Sequence, residues 1–163
     1  MCDYSLMTVP NRLAQQNEEL ELHRFPTGSL GLASPQDLKR AANPPVPIRK
    51  SFWCTLKDFF NPPATVPVPA VCIPPGARLQ LRDIPVRLQH DLGVCPVEEV
   101  TFTQLTAAVN TYRDAVRFAN GRSVRLQELR EGQHVRVLDL SLAEELDLDR
   151  LRQERNEFAN RSW

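Results

Sequence analysis

A chain of 163 residues, 42% of them hydrophobic, has the size and apolar content of one core-forming domain. Lysine plus arginine equals aspartate plus glutamate, 20 against 20, so no global field directs the chain to nucleic acid or to an anionic membrane. No run approaches the roughly 18 apolar residues of a membrane span, and the start lacks the basic-then-apolar pattern of a secretory leader; a cytoplasmic protein is expected.

The first strand signal is Glu18–Phe25, in which Leu20, Leu22 and Arg24 share one face. Pro26-Thr27-Gly28 reads as the turn that follows. Ten of the 14 prolines then fall between Pro35 and Pro75, where regular helices and central strands are hard to sustain. Residues 35–69 are accordingly read as a proline-rich insertion. Embedded in it, Ser51–Phe60 holds four of the chain's 11 aromatics and is halted by Asn61-Pro62-Pro63. Phe52, Trp53, Leu56, Phe59 and Phe60 recur at three- and four-residue steps, which predicts a short amphipathic helix. Such a helix either covers an open end of the core or docks in a partner's groove.

From Ala70 to Leu140 the segments Ala70–Ile73, Arg78–Ile84, Glu99–Leu105, Asp114–Phe118, Ser123–Leu126 and His134–Leu138 alternate apolar and polar residues. Each is a strand with one buried face. Pro-Pro-Gly, Asn-Gly and Glu-Gly separators suggest a small antiparallel β-barrel or sandwich. Parity refines one connection. A two-residue turn at Asn120-Gly121 sets Val116 opposite Arg125 and mixes the two faces. A three-residue loop, Ala119-Asn120-Gly121, with its glycine in the left-handed conformation of a bulge, sets Val116 opposite Val124 and keeps the apolar face continuous. From Ser141 the pattern becomes helical: Ser141 and Glu144 form a capping box, acids crowd the first turns, and Arg150, Arg152, Arg155 and Arg161 follow. The expected organisation is one mainly β (α+β) domain over 1–140 and a C-terminal helix and tail over 141–163.

Four side-chain classes carry possible chemistry. Cys2, Cys54, Cys72 and Cys95 are far apart and form no close pair, so a disulfide framework is not expected and each reads as a small buried hydrophobe. Removal of Met1 would leave Cys2 with both a thiol and an α-amine, the pairing used by N-terminal nucleophile hydrolases. His23, His90 and His134 lack the close-set ligand spacing of structural zinc sites, so no metal or other cofactor is expected. Only Lys39, Lys50 and Lys57 are lysines and the other 17 basic residues are arginines, suited to polar recognition. Arg122, Arg125, Arg130 and Arg136, with Arg78, Arg82 and Arg87 earlier, lie on polar strand faces. Asp83, Glu128, Glu131 and Asp139 interleave with them, which predicts a solvated mixed-charge surface rather than a nucleic-acid site.

Met1-Cys-Asp-Tyr-Ser-Leu6, Ala70-Val-Cys-Ile-Pro-Pro-Gly76, Asp114-Ala-Val-Arg-Phe-Ala-Asn-Gly121 and Leu129-Arg-Glu-Gly-Gln133 resemble a family of uncharacterised bacterial proteins. The likeness skips the segment around Lys39 to Pro69 and implies attention to Cys2, Cys72 and Asp114. Where the relatives have a histidine pair before that aspartate, this chain has Tyr112 and Arg113. A weaker likeness links Ala119–Val137 to the strand-turn-strand element of intein-like domains, but the order of the reactive residues differs. The reading is a non-enzymatic module that binds a protein partner, with Phe52, Trp53, Leu56, Phe59 and Phe60 as contact residues. The alternative is a thiol-dependent enzyme or thiolate metal site centred on Cys2 and Cys72, with Asp114 as a further catalytic candidate.

Overall fold

Period-two alternation is carried into the structure, a computed structural model that describes residues 6–43, 67–105 and 111–141. Among these residues the strands are β1 (Asn11–Leu13), β2 (Glu19–Arg24), β3 (Leu30–Ala33), β4 (Ala70–Cys72), β5 (Arg78–Leu81), β6 (Glu98–Gln104), β7 (Asp114–Phe118), β8 (Ser123–Arg125) and β9 (His134–Asp139). Two helices, α1 (Pro35–Ala42) and α2 (Val86–Leu92), and a 3-10 turn at Leu126–Glu128 complete the set. The fold is mainly β. One antiparallel sheet runs in the order β3-β2-β9-β5-β6-β7-β8, and β1 pairs in parallel with β4.

The inward residues of the large sheet form one apolar interior. Leu20, Leu22, Leu79, Leu81, Val100, Phe102, Val116, Phe118, Val124, Val135 and Val137 share it with Leu30 and Leu32 from the far end. A flat seven-stranded sheet cannot bring its first and last strands to one core, so the sheet is curled. The expected barrel is nevertheless not closed: among the described residues no ladder joins β3 to β8. After three residues of β8 the backbone leaves the sheet for the 3-10 turn. The gap is bridged by a side chain. Gln127 Nε2 donates to the Leu30 carbonyl at 2.7 Å while its Oε1 accepts from the Leu30 N–H at 2.9 Å, standing in for one rung of a ladder.

The Asn120-Gly121 connection has the bulged form. Val116 faces Val124, Gly121 has φ +83°, and Phe118 donates to the Arg122 carbonyl at 2.8 Å while Gly121 donates back to Phe118 at 2.9 Å. The β2–β3 connection repeats this geometry at Phe25-Pro26-Thr27-Gly28-Ser29, with Gly28 at φ +83°. Left-handed backbone is accessible to glycine without a Cβ penalty.

Several expectations are corrected. Ala70–Ile73 has no wet face: Val71 and Ile73 reach the main core, and Ala70 joins a second apolar cluster with Leu6, Val9, Phe25 and Ala33. Regular structure also enters the proline-rich stretch. Pro35 opens α1 behind the N-cap Ser34, whose Oγ accepts from the Gln36 N–H at 3.3 Å, because proline at the first helical position lacks only a donor that has no intrahelical partner. The short helix α2 ends at Gly93, left-handed with φ +65°. The aromatic segment 51–60 and the C-terminal helix beyond Ser141 lie outside the described residues. No helix among the described residues is long and apolar enough to cross a membrane.

The second cluster fixes a testable constraint at Gly31, on the outer side of β3. A Cβ there would stand 2.6 Å from Leu6 Cδ1 and 3.1 Å from Phe25 Cε2, and both neighbours are buried. Gly31→Ala is expected to lower stability by about 1–3 kcal/mol through overpacking, read as a lower denaturant midpoint at unchanged slope.

Candidate functional site

The residues singled out in the sequence are not all assembled. Cys72 ends β4, is 6% exposed and is disulfide-bonded, which corrects the expectation of isolated reduced cysteines. A sulfur held in a disulfide is not a thiolate nucleophile or metal ligand in that state. Cys2 lies outside the described residues, as do Phe52, Trp53, Leu56, Phe59 and Phe60. Asp114 begins β7 in the other sheet, is 8% exposed, and accepts from Gln104 Nε2 at 3.1 Å, directly across the ladder. Cys95, in the loop after α2, is a free exposed thiol. Among the described residues no three His, Cys, Asp or Glu side chains form a metal-binding group. His23 packs edge-on against Phe25, and His134 Nδ1 lies 3.0 Å from Asp83 Oδ2.

The charged side chains outside the curl are arranged in rows fixed by register. Glu19, Arg136, Gln80 and Glu99 stand opposite one another across β2, β9, β5 and β6. Here opposite charges meet: Arg82 Nη2 contacts both Glu19 oxygens at 2.6 and 2.8 Å, Arg136 lies 3.6 Å from Glu19, and Arg78 meets Glu99 at 2.5 Å. The next row runs Arg78, Thr101, Arg117, Ser123 across β5, β6, β7 and β8, followed by Thr103, Ala115, Arg125. Arg117 and Arg125 are exposed diagonal neighbours, with Cα atoms roughly 7–8 Å apart. Ala115 between them is fully buried, so the surface is closed at that point.

Among the described residues, the acids that sit near these arginines in sequence form no ion pair with Arg117 or Arg125. Asp83 faces His134, Glu131 pairs with Arg24 at 3.5 Å, and Glu128 accepts from the Arg125 main-chain N–H at 3.4 Å. Asp139 accepts from the N–H and Oγ of Ser141, which hold its carboxyl below the usual range. Arg12, Arg24, Arg40, Arg78, Arg82, Arg87 and Arg136 all have a carboxylate within ion-pair distance. Among the described residues Arg113, Arg117, Arg122, Arg125 and Arg130 have none. The expected mixed-charge surface therefore holds on the β2–β9–β5 side and fails on the β7–β8 side. Arg122 turns to the Asp91 carbonyl at the end of α2, where Asn120 Nδ2 also donates to Leu92 at 2.9 Å. Arg130 lies outside the hairpin, in the turn before β9, and Arg113, half-buried on the same parity as the outward residues of β7, joins Arg117 and Arg125 as the uncompensated group on this face.

A half-open cleft of roughly 580 Å³ lies between the β1–β2 turn and the start of α1, lined by Arg12, Glu18, Ser34, Gln36, Asp37 and Lys39 among others. Glu18 closes it internally: Arg12 holds both its oxygens, the Gln15 N–H donates at 2.8 Å, and Asp37 stands 3.8 Å from Arg12. Partial burial pushes Glu18 up, but the Arg12 and Gln15 hydrogen bonds outweigh it and hold the carboxyl below the ordinary range. A carboxyl depressed on folding adds stability at pH above its unfolded value and loses it as pH falls through the folded one. Melting temperature on the acid side of the ordinary glutamate range is therefore expected to fall more steeply in the wild type than in Glu18→Gln. No protein-family model, no curated protein and no solved structure matches the chain.

Proposed function

We propose that the protein is a non-enzymatic binding module that engages a protein partner through the outer face of β6, β7 and β8. The observation that carries this reading is the uncompensated arginine group there, in a chain whose charges sum to zero and in which seven other described arginines have a carboxylate within ion-pair distance. A guanidinium without an internal carboxylate contributes nothing to intramolecular pairing, and its planar fork is suited to an external one. In this reading the proline-rich insertion 35–69, with Phe52, Trp53, Leu56, Phe59 and Phe60, and the C-terminal helix from Ser141 are appendages offering further contact surface. The cytoplasm is the compartment inferred from sequence. The disulfide at Cys72 weighs against it, because cytoplasmic thiols are kept reduced.

Charge segregation has a direct readout. Near neutral pH the wild-type protein is expected to be retained on a cation exchanger at low salt despite its formal neutrality, and Arg117→Glu/Arg125→Glu to pass unretained with an unchanged melting temperature. Passage of the wild type in the unbound fraction contradicts the reading.

A further inference from the structure

Resting on that reading of the face, we propose that Arg117 and Arg125 bind an acidic, extended segment of a partner protein whose carboxylates lie over the two guanidinium groups. The same sheet surface already displays this chemistry, in the two-oxygen contact of Arg82 with Glu19 at 2.6 and 2.8 Å. Thr101 and Ser123 flank Arg117 on both sides in the ladder and offer hydroxyls to a polar main chain. Arg113, half-buried and immediately before β7, adds a further positive charge at the edge of this face.

Three other occupants fit less well. Single-stranded nucleic acid is held by aromatic platforms on which bases stack, and the outward residues of the two rows are Thr101, Thr103, Ala115, Arg117, Ser123 and Arg125, with no aromatic among them. Duplex nucleic acid needs many phosphate contacts, whereas here Glu99, diagonal to Arg117, adds negative charge at the margin. A second copy joined by a twofold axis would place like charges face to face.

The experiment titrates full-length protein with three labelled probes: a short peptide alternating Glu and Thr, its Lys–Thr counterpart, and a single-stranded oligonucleotide of the same formal charge as the acidic peptide. The proposal expects the acidic peptide to bind, the basic one not to, and the oligonucleotide to bind more weakly. Affinity should fall by roughly tenfold or more between about 0.05 and about 0.5 M salt. Arg117→Gln/Arg125→Gln should abolish peptide binding while an unchanged melting temperature identifies a folded protein. Equal or tighter oligonucleotide binding that is lost in the same variant overturns the acidic-segment assignment and leaves the face as the binding surface. Binding of no anionic probe overturns both.

Discussion

One side-chain amide holds the two ends of the large sheet together. Gln127 meets both polar groups of Leu30 across a gap that no strand ladder spans among the described residues, and Leu30 is itself 2% exposed. A buried N–H and C=O left without partners cost about 1–3 kcal/mol each, so this single residue carries a large share of a small domain's net stability. The arrangement is available because β8 is short and passes at once into the 3-10 turn that presents Gln127 to β3. Closure by a side chain lets Leu30 and Leu32 share a core with Val124, Leu126 and Leu129.

The curl also decides what the outside looks like. With every second residue of β2, β5, β6, β7, β8 and β9 turned inward, the remaining ones are ordered by register into rows whose partners are distant in sequence. Glu19 reaches Arg82 and Arg136, and Glu131 reaches Arg24. Glu131, drawn into such a long-range pair, does not neutralise Arg130 beside it, and among the described residues no carboxylate stands within ion-pair distance of Arg117 or Arg125 on the β7–β8 hairpin. Its tip is fastened to α2 by Asn120 and Arg122, so the face belongs to a hairpin anchored at its tip.

Much of this was legible in the residues. The strands β2 and β5 through β9 follow from alternation, and the bulged Phe118–Arg122 connection follows from the parity of Val116 and Val124 together with Gly121. What escaped has identifiable causes. β3 is buried along its whole length, because Leu30 and Leu32 face the main core while Gly31 and Ala33 face the second cluster, and a strand covered on both sides shows no alternation. α1 hid behind Pro35, which caps a helix as readily as it breaks one. At three and seven residues, β1 and α2 are too short to raise a periodic signal. The arginine face escaped because charge compensation was judged from neighbours in sequence, whereas the pairing is set across the sheet. The disulfide at Cys72 escaped because widely spaced cysteines carry no local signature.

The role of the seam is open to one direct measurement, native-state amide exchange at Leu30 in the wild type and in Gln127→Ala. If the amide bridge holds the curl, the variant loses about 2–4 kcal/mol of global stability, and the Leu30 N–H exchanges far faster than those of β5 and β9 at the centre of the sheet. Unchanged stability with full protection at Leu30 would contradict the account, and with it the outward face built on that curl.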